Sequence, residues 1–239
     1  MRVVVSQPMF VPWIGLFEQV KLADVFVHYD DVQLPQGRSF MTRVQIKTAA
    51  GTTWMSAQVD RQNSGSLISD TQLVTDRAWR ERHLALLAEN YRAAPHADLM
   101  MDLAREIYDF DSHNLASFNQ HAIEYIAGWL GLTTTFEVSS SLGIPGSSST
   151  RLADICGHFG ASEYLTGHGA LQYLDHELFE ERGMAVTYID YALKPYPQLH
   201  GEFTPYVSIL DAIANAGEQA KDLLVSGAVD WREFARTHA

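Results

Sequence analysis

The residues of this 239-residue chain best suited to moving a proton are two adjacent aspartates, Asp30 and Asp31, and a histidine set between glycines, His168 in Thr166-Gly167-His168-Gly169-Ala170. A carboxylate or an imidazole acts as a general base when it lies within hydrogen-bond reach of the proton it takes, and flanking glycines let the backbone approach a ligand closely. Successive residues of an extended segment point to opposite faces, so only one of the two aspartates can face a given pocket. The other is free to cap a turn, or to neutralise Arg43 or Lys47. Cys156 is a nucleophile by type. Within RLADICGHFG, however, it shares a helix face with Leu152, and that spacing favours a small buried hydrophobe over a reactive thiol. Trp13 and Phe17 stand at the i,i+4 spacing that packing explains more often than ligand stacking.

Several chemistries have no motif here. The histidines form no H-x-x-x-H or cysteine-rich cluster, so no metal is expected. There is no G-x-S-x-G elbow, Walker loop or G-x-G-x-x-G, and TGHGA supplies too few glycines for a dinucleotide. Seventeen basic against 29 acidic residues give a net charge of −12. Such a charge opposes attraction to phosphate backbones and anionic lipid, so neither nucleic acid nor membrane is expected as a partner. The lone cysteine forms no internal disulfide, the N-terminal apolar run meets Gln7-Pro8 too early for a secretory signal, and no apolar stretch approaches the roughly 20 residues of a bilayer span. The expectation is a soluble cytoplasmic protein.

The elements that must position these residues read as an α/β alternation. Arg2 to Ser6 is a β-branched strand, Trp13 to Leu22 has helical apolar spacing, and ADVFVHYDD is a second strand ending in acids. Two strands joined by a helix imply a parallel sheet. TRVQIKTAAGTTWMSAQV reads as a β-hairpin, and 76–130 as helices broken near Ala94-Pro95 and Phe110-Asp111-Ser112, where Asp or Ser could cap. Further on, TTTFEV, SEYLTG and MAVTYIDY read as strands. SSSLGIPGSSST reads as a polar loop, TRLADICGHFG as a helix capped by Thr150 and stopped by Gly160, ALQYLDHELFEERG as a helix, and the remainder after KPYPQLHGEFTPY as helical. The fold class expected is α/β: a Rossmann-like, mostly parallel sheet flanked by helices, with a β-hairpin and a helical insertion. One compact unit would comprise 1–75, an insertion 76–131, and 132–239. Ligands of such sheets sit outside the carboxyl ends of the strands. The strand-ending residues Gln7, Asp30, Asp31, Ser139 to Ser141, Thr166-Gly167-His168 and Asp190 are therefore expected to gather at one edge, with Pro8, Pro12, Trp13 and Gly15 forming a rigid wall.

The blocks QPMFVPWIGLFEQV, ADVFVHYDDVQL, TRVQIKT, GASEYLTGHGALQYLD and YPQLHGEFTPYVSILDAI together resemble the WbqC-like protein family over nearly the whole chain. Matching positions include Gln7, Trp13, Asp30, Asp31, Arg43, Lys47, Arg151, Cys156, Gly167 and Tyr173. The chain departs from the family pattern at Thr42 and Val44 and in the Thr166 to Ala170 turn. The resemblance implies a role in glycan or natural-product biosynthesis, with transfer of an acyl or aminoacyl group to a small-molecule amine. The donor would be an acyl-CoA or a carrier-protein thioester, and no tightly bound cofactor is implied. On that reading His168 or Asp30 accepts the amine proton and Cys156 is a candidate acyl-enzyme nucleophile. Arg43 and Thr166 hold the donor or its oxyanion, and Gln7, Trp13, Asp31, Lys47, Gly167 and Tyr173 complete the substrate site. Two alternatives stand beside it. One is a nucleotide-dependent enzyme of nucleotidylyltransferase or ligase layout, with Lys47 and Arg43 on phosphates and the carboxylates holding magnesium, although FVPWIG replaces the two-histidine signature of that class. The other is a non-catalytic partner in a biosynthetic complex, acting through the aromatic KPYPQLHGEFTPY loop. The helical middle section could supply a homodimer interface.

Overall fold

The computed structural model describes residues 1–35, 37, 39–60 and 65–238. Its centre is a six-stranded sheet in the order β5-β2-β1-β6-β7-β8, built from β1 (Arg2–Ser6), β2 (Val25–His28), β5 (Thr135–Val138), β6 (Glu163–Thr166), β7 (Ala185–Asp190) and β8 (Gly227–Asp230). All neighbours are parallel except β7 and β8. The chain lays β2 and β5 on one side of β1 and then returns to place β6 and β7 on the other. The connections therefore diverge between β1 and β6, the switch point at which open α/β sheets hold ligands.

Both faces of β1 are apolar because both are covered. Val4 belongs to a core with Leu16, Phe17 and Val20 of α1 (Ile14–Leu22), which extends into α2 (Ala78–Tyr91), α3 (Ala97–Asp109) and α4 (Leu115–Trp129). Val3 and Val5, one residue out of phase, join a second core with Leu152, Ile155 and Cys156 of α6 (Ser148–His158), Phe179 of α7 (His176–Glu181) and Phe234 of α9 (Trp231–His238). Among the described residues the fold class expected from the sequence is thus present, with helices on both faces. The hairpin, β3 (Arg43–Thr48) and β4 (Gly51–Ser56), forms a separate antiparallel ribbon. No helix among the described residues is long and apolar enough to cross a membrane.

Five local readings change. The serine-rich run contains a short helix, α5 (Ser139–Leu142), and α6 begins at Ser148 rather than behind a Thr150 cap. Residues His168–Gln172 form a 3-10 turn, so the following helix starts only at His176, where the Asp175 side chain accepts from Leu178 N. α4 is capped by Asn114, whose side chain accepts from Ser117 N at 3.0 Å, not by Asp111 or Ser112. The C-terminal region is not all helix after α8 (Ile209–Ala216), since β8 pairs antiparallel with β7, Val229 opposite Tyr188.

The turn between β1 and α1 is held from three sides. Phe10 packs its ring on Phe118 of α4 and Trp79 of α2, with centroids 5.7 and 6.4 Å away. Asn119 donates to the Pro8 and Met41 carbonyls, both at 2.8 Å. Val11 has φ +36°, a region that a β-branched residue enters only under constraint. Its carbonyl accepts from Ser208 Oγ at 2.9 Å, and the Pro12 carbonyl accepts from Ile209 N at 2.8 Å, at the start of α8.

Candidate functional site

A cavity of about 1330 Å³ opens at the carboxyl ends of β1 and β6. Gln7 enters from β1, Asp31 from β2, Thr166, Gly167 and His168 from β6, Arg43, Gln45 and Trp54 from the hairpin, Arg151 from α6, and Tyr191 from beyond β7. Trp13 and Tyr173 also line it.

The Trp13 wall explains the glycine two residues on. A Cβ at Gly15 would lie 2.4 Å from the Trp13 indole, so only glycine lets the ring fold back over the helix start. There it meets Tyr191 at 4.9 Å and Tyr206 at 5.8 Å between centroids. Tyr191 is fixed in turn by Gln19 of α1, whose Nε2 donates to its hydroxyl at 2.7 Å.

His168 sits beside this wall. Its Nε2 lies 2.8 Å from the Ile189 carbonyl. A carbonyl only accepts, so Nε2 carries a proton, and in the neutral form of the ring Nδ1 is the acceptor. Phe234 and His238 of α9 pack on the ring, at 4.6 and 5.3 Å, and Tyr191 at 4.9 Å.

Of the two aspartates, both beyond the end of β2, only Asp31 lines the cavity. It pairs with Arg151 Nη2 and accepts from Ser139 Oγ at 2.6 Å. Burial raises the Asp31 pKa, but the hydrogen bonds from Arg151 and Ser139 outweigh it and hold the carboxyl below its ordinary range. Arg151 also donates from Nε to the Ile144 carbonyl at 3.0 Å and lies over the Tyr29 ring at 5.1 Å. The partner of the acid is thus Arg151, not Arg43 or Lys47. Burial lifts the Tyr29 hydroxyl above its usual range.

Three residues expected at the site stand elsewhere. Asp30 is buried and holds the start of α5, accepting from Ser140 N at 3.1 Å and Ser140 Oγ at 2.9 Å. Lys47 is buried beneath the 198–202 segment and donates to the Glu202 carbonyl at 2.5 Å and to Gln198 Oε1 at 3.1 Å. Cys156 lies fully buried in the second core, where burial pushes its thiol up to about 12. None of the three lines the cavity. A carboxylate, an ammonium and a thiol so engaged have no reach to a ligand there.

Conversely, Arg151, Tyr29, Gln19, Trp54, Tyr191 and Tyr206 belong to the site without having been marked for it. Arg151 was visible only as a position matching the family. A clue for Trp54 was its alternation with Met55 in TTWMS: with Met55 turned into the core, the ring beside it faces the other way, in line with Thr52 and Ser56. Among the described residues no group of three or more His, Cys, Asp and Glu could hold a metal ion.

Comparison with known proteins adds a family but no chemistry. An uncharacterized protein of Mycobacterium tuberculosis (strain ATCC 25618 / H37Rv), Rv1507c, is 33% identical over 225 residues, covering 93% of this chain and 97% of that one. No solved structure matches. The sequence model of the WbqC-like protein family matches residues 7–223, a span running from the Gln7 edge of the cavity past the Ser208 staple, and this chain belongs to the WbqC-like protein family.

Proposed function

We propose that the protein is a group-transfer enzyme that moves an acyl or aminoacyl group from a thioester, of coenzyme A or a carrier protein, to the amine of a small molecule held in the cavity. The amine nitrogen attacks the thioester carbonyl carbon, the C–S bond breaks, the thiolate leaves, and an amide forms. The amine proton passes to Nδ1 of His168 and from there to the leaving thiolate. The observation that supports this best is the imidazole held by the Ile189 carbonyl at the cavity edge, which fixes the tautomer a base requires. The placement of Cys156 in the core favours direct attack over a covalent acyl-enzyme. Gln7 and Thr166, which line the same wall, are the donors nearest in kind to what a developing oxyanion needs.

A phosphate role for Lys47, as the nucleotide-dependent alternative requires, draws little support from an ammonium engaged with the Glu202 carbonyl and Gln198. The experiment is to offer a panel of acyl and aminoacyl thioesters with amine acceptors, following thiol release and amide mass. His168→Gln should lower turnover by about 10²- to 10⁴-fold. Thiol release from no donor, or a His168→Gln variant as fast as the wild type, refutes the assignment.

A further inference from the structure

The hairpin end of the cavity has a chemistry that the transfer step does not use. Arg43 lies with its guanidinium carbon 4.0 Å from the Trp54 ring centroid. It has no carboxylate within 4.0 Å among the described residues, and its Nε is buried without a hydrogen-bond partner. The other arginine of the cavity is neutralised by Asp31, so among the described residues Arg43 is the arginine of the site without a carboxylate partner, in a chain of net charge −12. Beside it Trp54 is 38% and Phe40 57% exposed, with their rings 6.4 Å apart. Gln45, directly across the ribbon from Trp54, also lines the cavity.

A lone carboxylate would use the cation and leave the rings in water. An acyl chain would cover the rings and leave the cation and its donor unpaired. A ligand with both a flat ring and a phosphate satisfies the two together, because arginine forks match phosphate oxygens and aromatic faces stack on bases. The cavity has room for it, since about 1330 Å³ exceeds the roughly 300–1000 Å³ of common small-molecule sites.

We propose that Arg43, Trp54, Phe40 and Gln45 form a subsite for the nucleoside diphosphate portion of one of the two substrates, phosphates on Arg43 and base along Trp54 and Phe40. This rests on the group-transfer reading only for which substrate carries the nucleotide. Coenzyme A would bring it on the donor, and a nucleotide-linked amine would bring it on the acceptor.

The test is calorimetric titration of the full chain with ADP, coenzyme A and UDP, for the wild type, Arg43→Gln, Trp54→Ala, Trp54→Phe and His168→Gln, each checked by thermal melt. Trp54→Ala and Arg43→Gln should each weaken binding about tenfold, while Trp54→Phe, which keeps a stacking face, stays within a few-fold of the wild type. His168→Gln should bind nucleotide as the wild type does. Binding of ADP and coenzyme A alone assigns the subsite to the donor, and binding of UDP assigns it to the acceptor. No binding of any of the three at millimolar nucleotide, or equal affinity in folded Arg43→Gln and Trp54→Ala, overturns the subsite. The two readings fail separately: thiol release without nucleotide binding sinks this one alone, and nucleotide binding without transfer sinks the other.

Discussion

Neutralising Asp31 should expose how the cavity is held open. The Arg151 side chain is 7% exposed and has three contacts of note: the Asp31 carboxylate, the Ile144 carbonyl at 3.0 Å, and the Tyr29 ring. In Asp31→Asn the guanidinium stays buried with a carbonyl and a ring but no counter-charge. Breaking a fully buried pair costs about 3–5 kcal/mol. Asp31 is 21% exposed, and asparagine still offers an oxygen to Ser139, so the cost here should be about 2–3 kcal/mol. Arg151→Met removes the cation itself and leaves a partly solvated acid with its Ser139 bond, which should cost about 1–2 kcal/mol. The double variant should then be more stable than the sum of the single losses by about 1–2 kcal/mol. Urea unfolding at neutral pH measures all three. The pH dependence gives a second reading. The Asp31 carboxyl titrates below its ordinary 3.8 in the folded chain, so its stabilisation is complete above that value and is lost as pH falls through the lower, folded one. The stability gap between wild type and Asp31→Asn should therefore be flat from neutrality to about pH 5 and close in acid. Additive single losses, or a gap unchanged below pH 3.8, would show that the pair does not act as described.

Two further substitutions probe the cavity's neighbours. Cys156→Ala should lower stability by about 1–2 kcal/mol and leave transfer intact, and iodoacetamide should label the wild-type thiol only as the chain unfolds. Rapid labelling of the native protein, or a folded alanine variant with no turnover, would return the thiol to the mechanism. Gly15→Ala should drive the Trp13 indole off Tyr191 and Tyr206, costing about 1–3 kcal/mol and changing near-ultraviolet circular dichroism; an unchanged spectrum counts against the contact.

What was legible in the sequence followed from short-range rules. β1, β2, β6 and β7 are apolar runs with β-branched or aromatic residues, and their ends give the cavity edge on which Gln7, Asp31, Thr166, Gly167 and His168 meet. One of the two aspartates lines the cavity, but both lie beyond the end of β2, where strand periodicity has no means of choosing between them. That choice depends on Ser139 and Ser140, 109 and 110 residues from Asp30, and on Arg151, 120 residues from Asp31. β8 was missed because GAVD carries too little pattern in four residues; it is a strand by virtue of its pairing with β7. Lys47 shows the opposite failure. A lysine in an alternating hairpin reads as exposed, yet the 198–202 segment folds over it and supplies the acceptors that let it be buried.

The same long-range logic explains the stiff turn after β1. A left-handed Val11 is costly by itself, and its carbonyl is held by Ser208, 197 residues away, with Ile209 on the next one. Those bonds fix the direction in which the chain enters α1, and with Gly15 they set the Trp13 ring against Tyr191 at the edge of the first core. Tyr191 then touches His168. Strain in the first turn is thus offset by the start of α8 and ends as the position of the proposed base. The rest of that imidazole's support comes from Phe234 and His238, which lie beyond residue 223, where the family match stops. The Ile189 carbonyl, inside the match, sets the tautomer, whereas the rings outside it set how far the imidazole can tilt. Tautomer and placement of the same side chain are therefore governed by different parts of the chain.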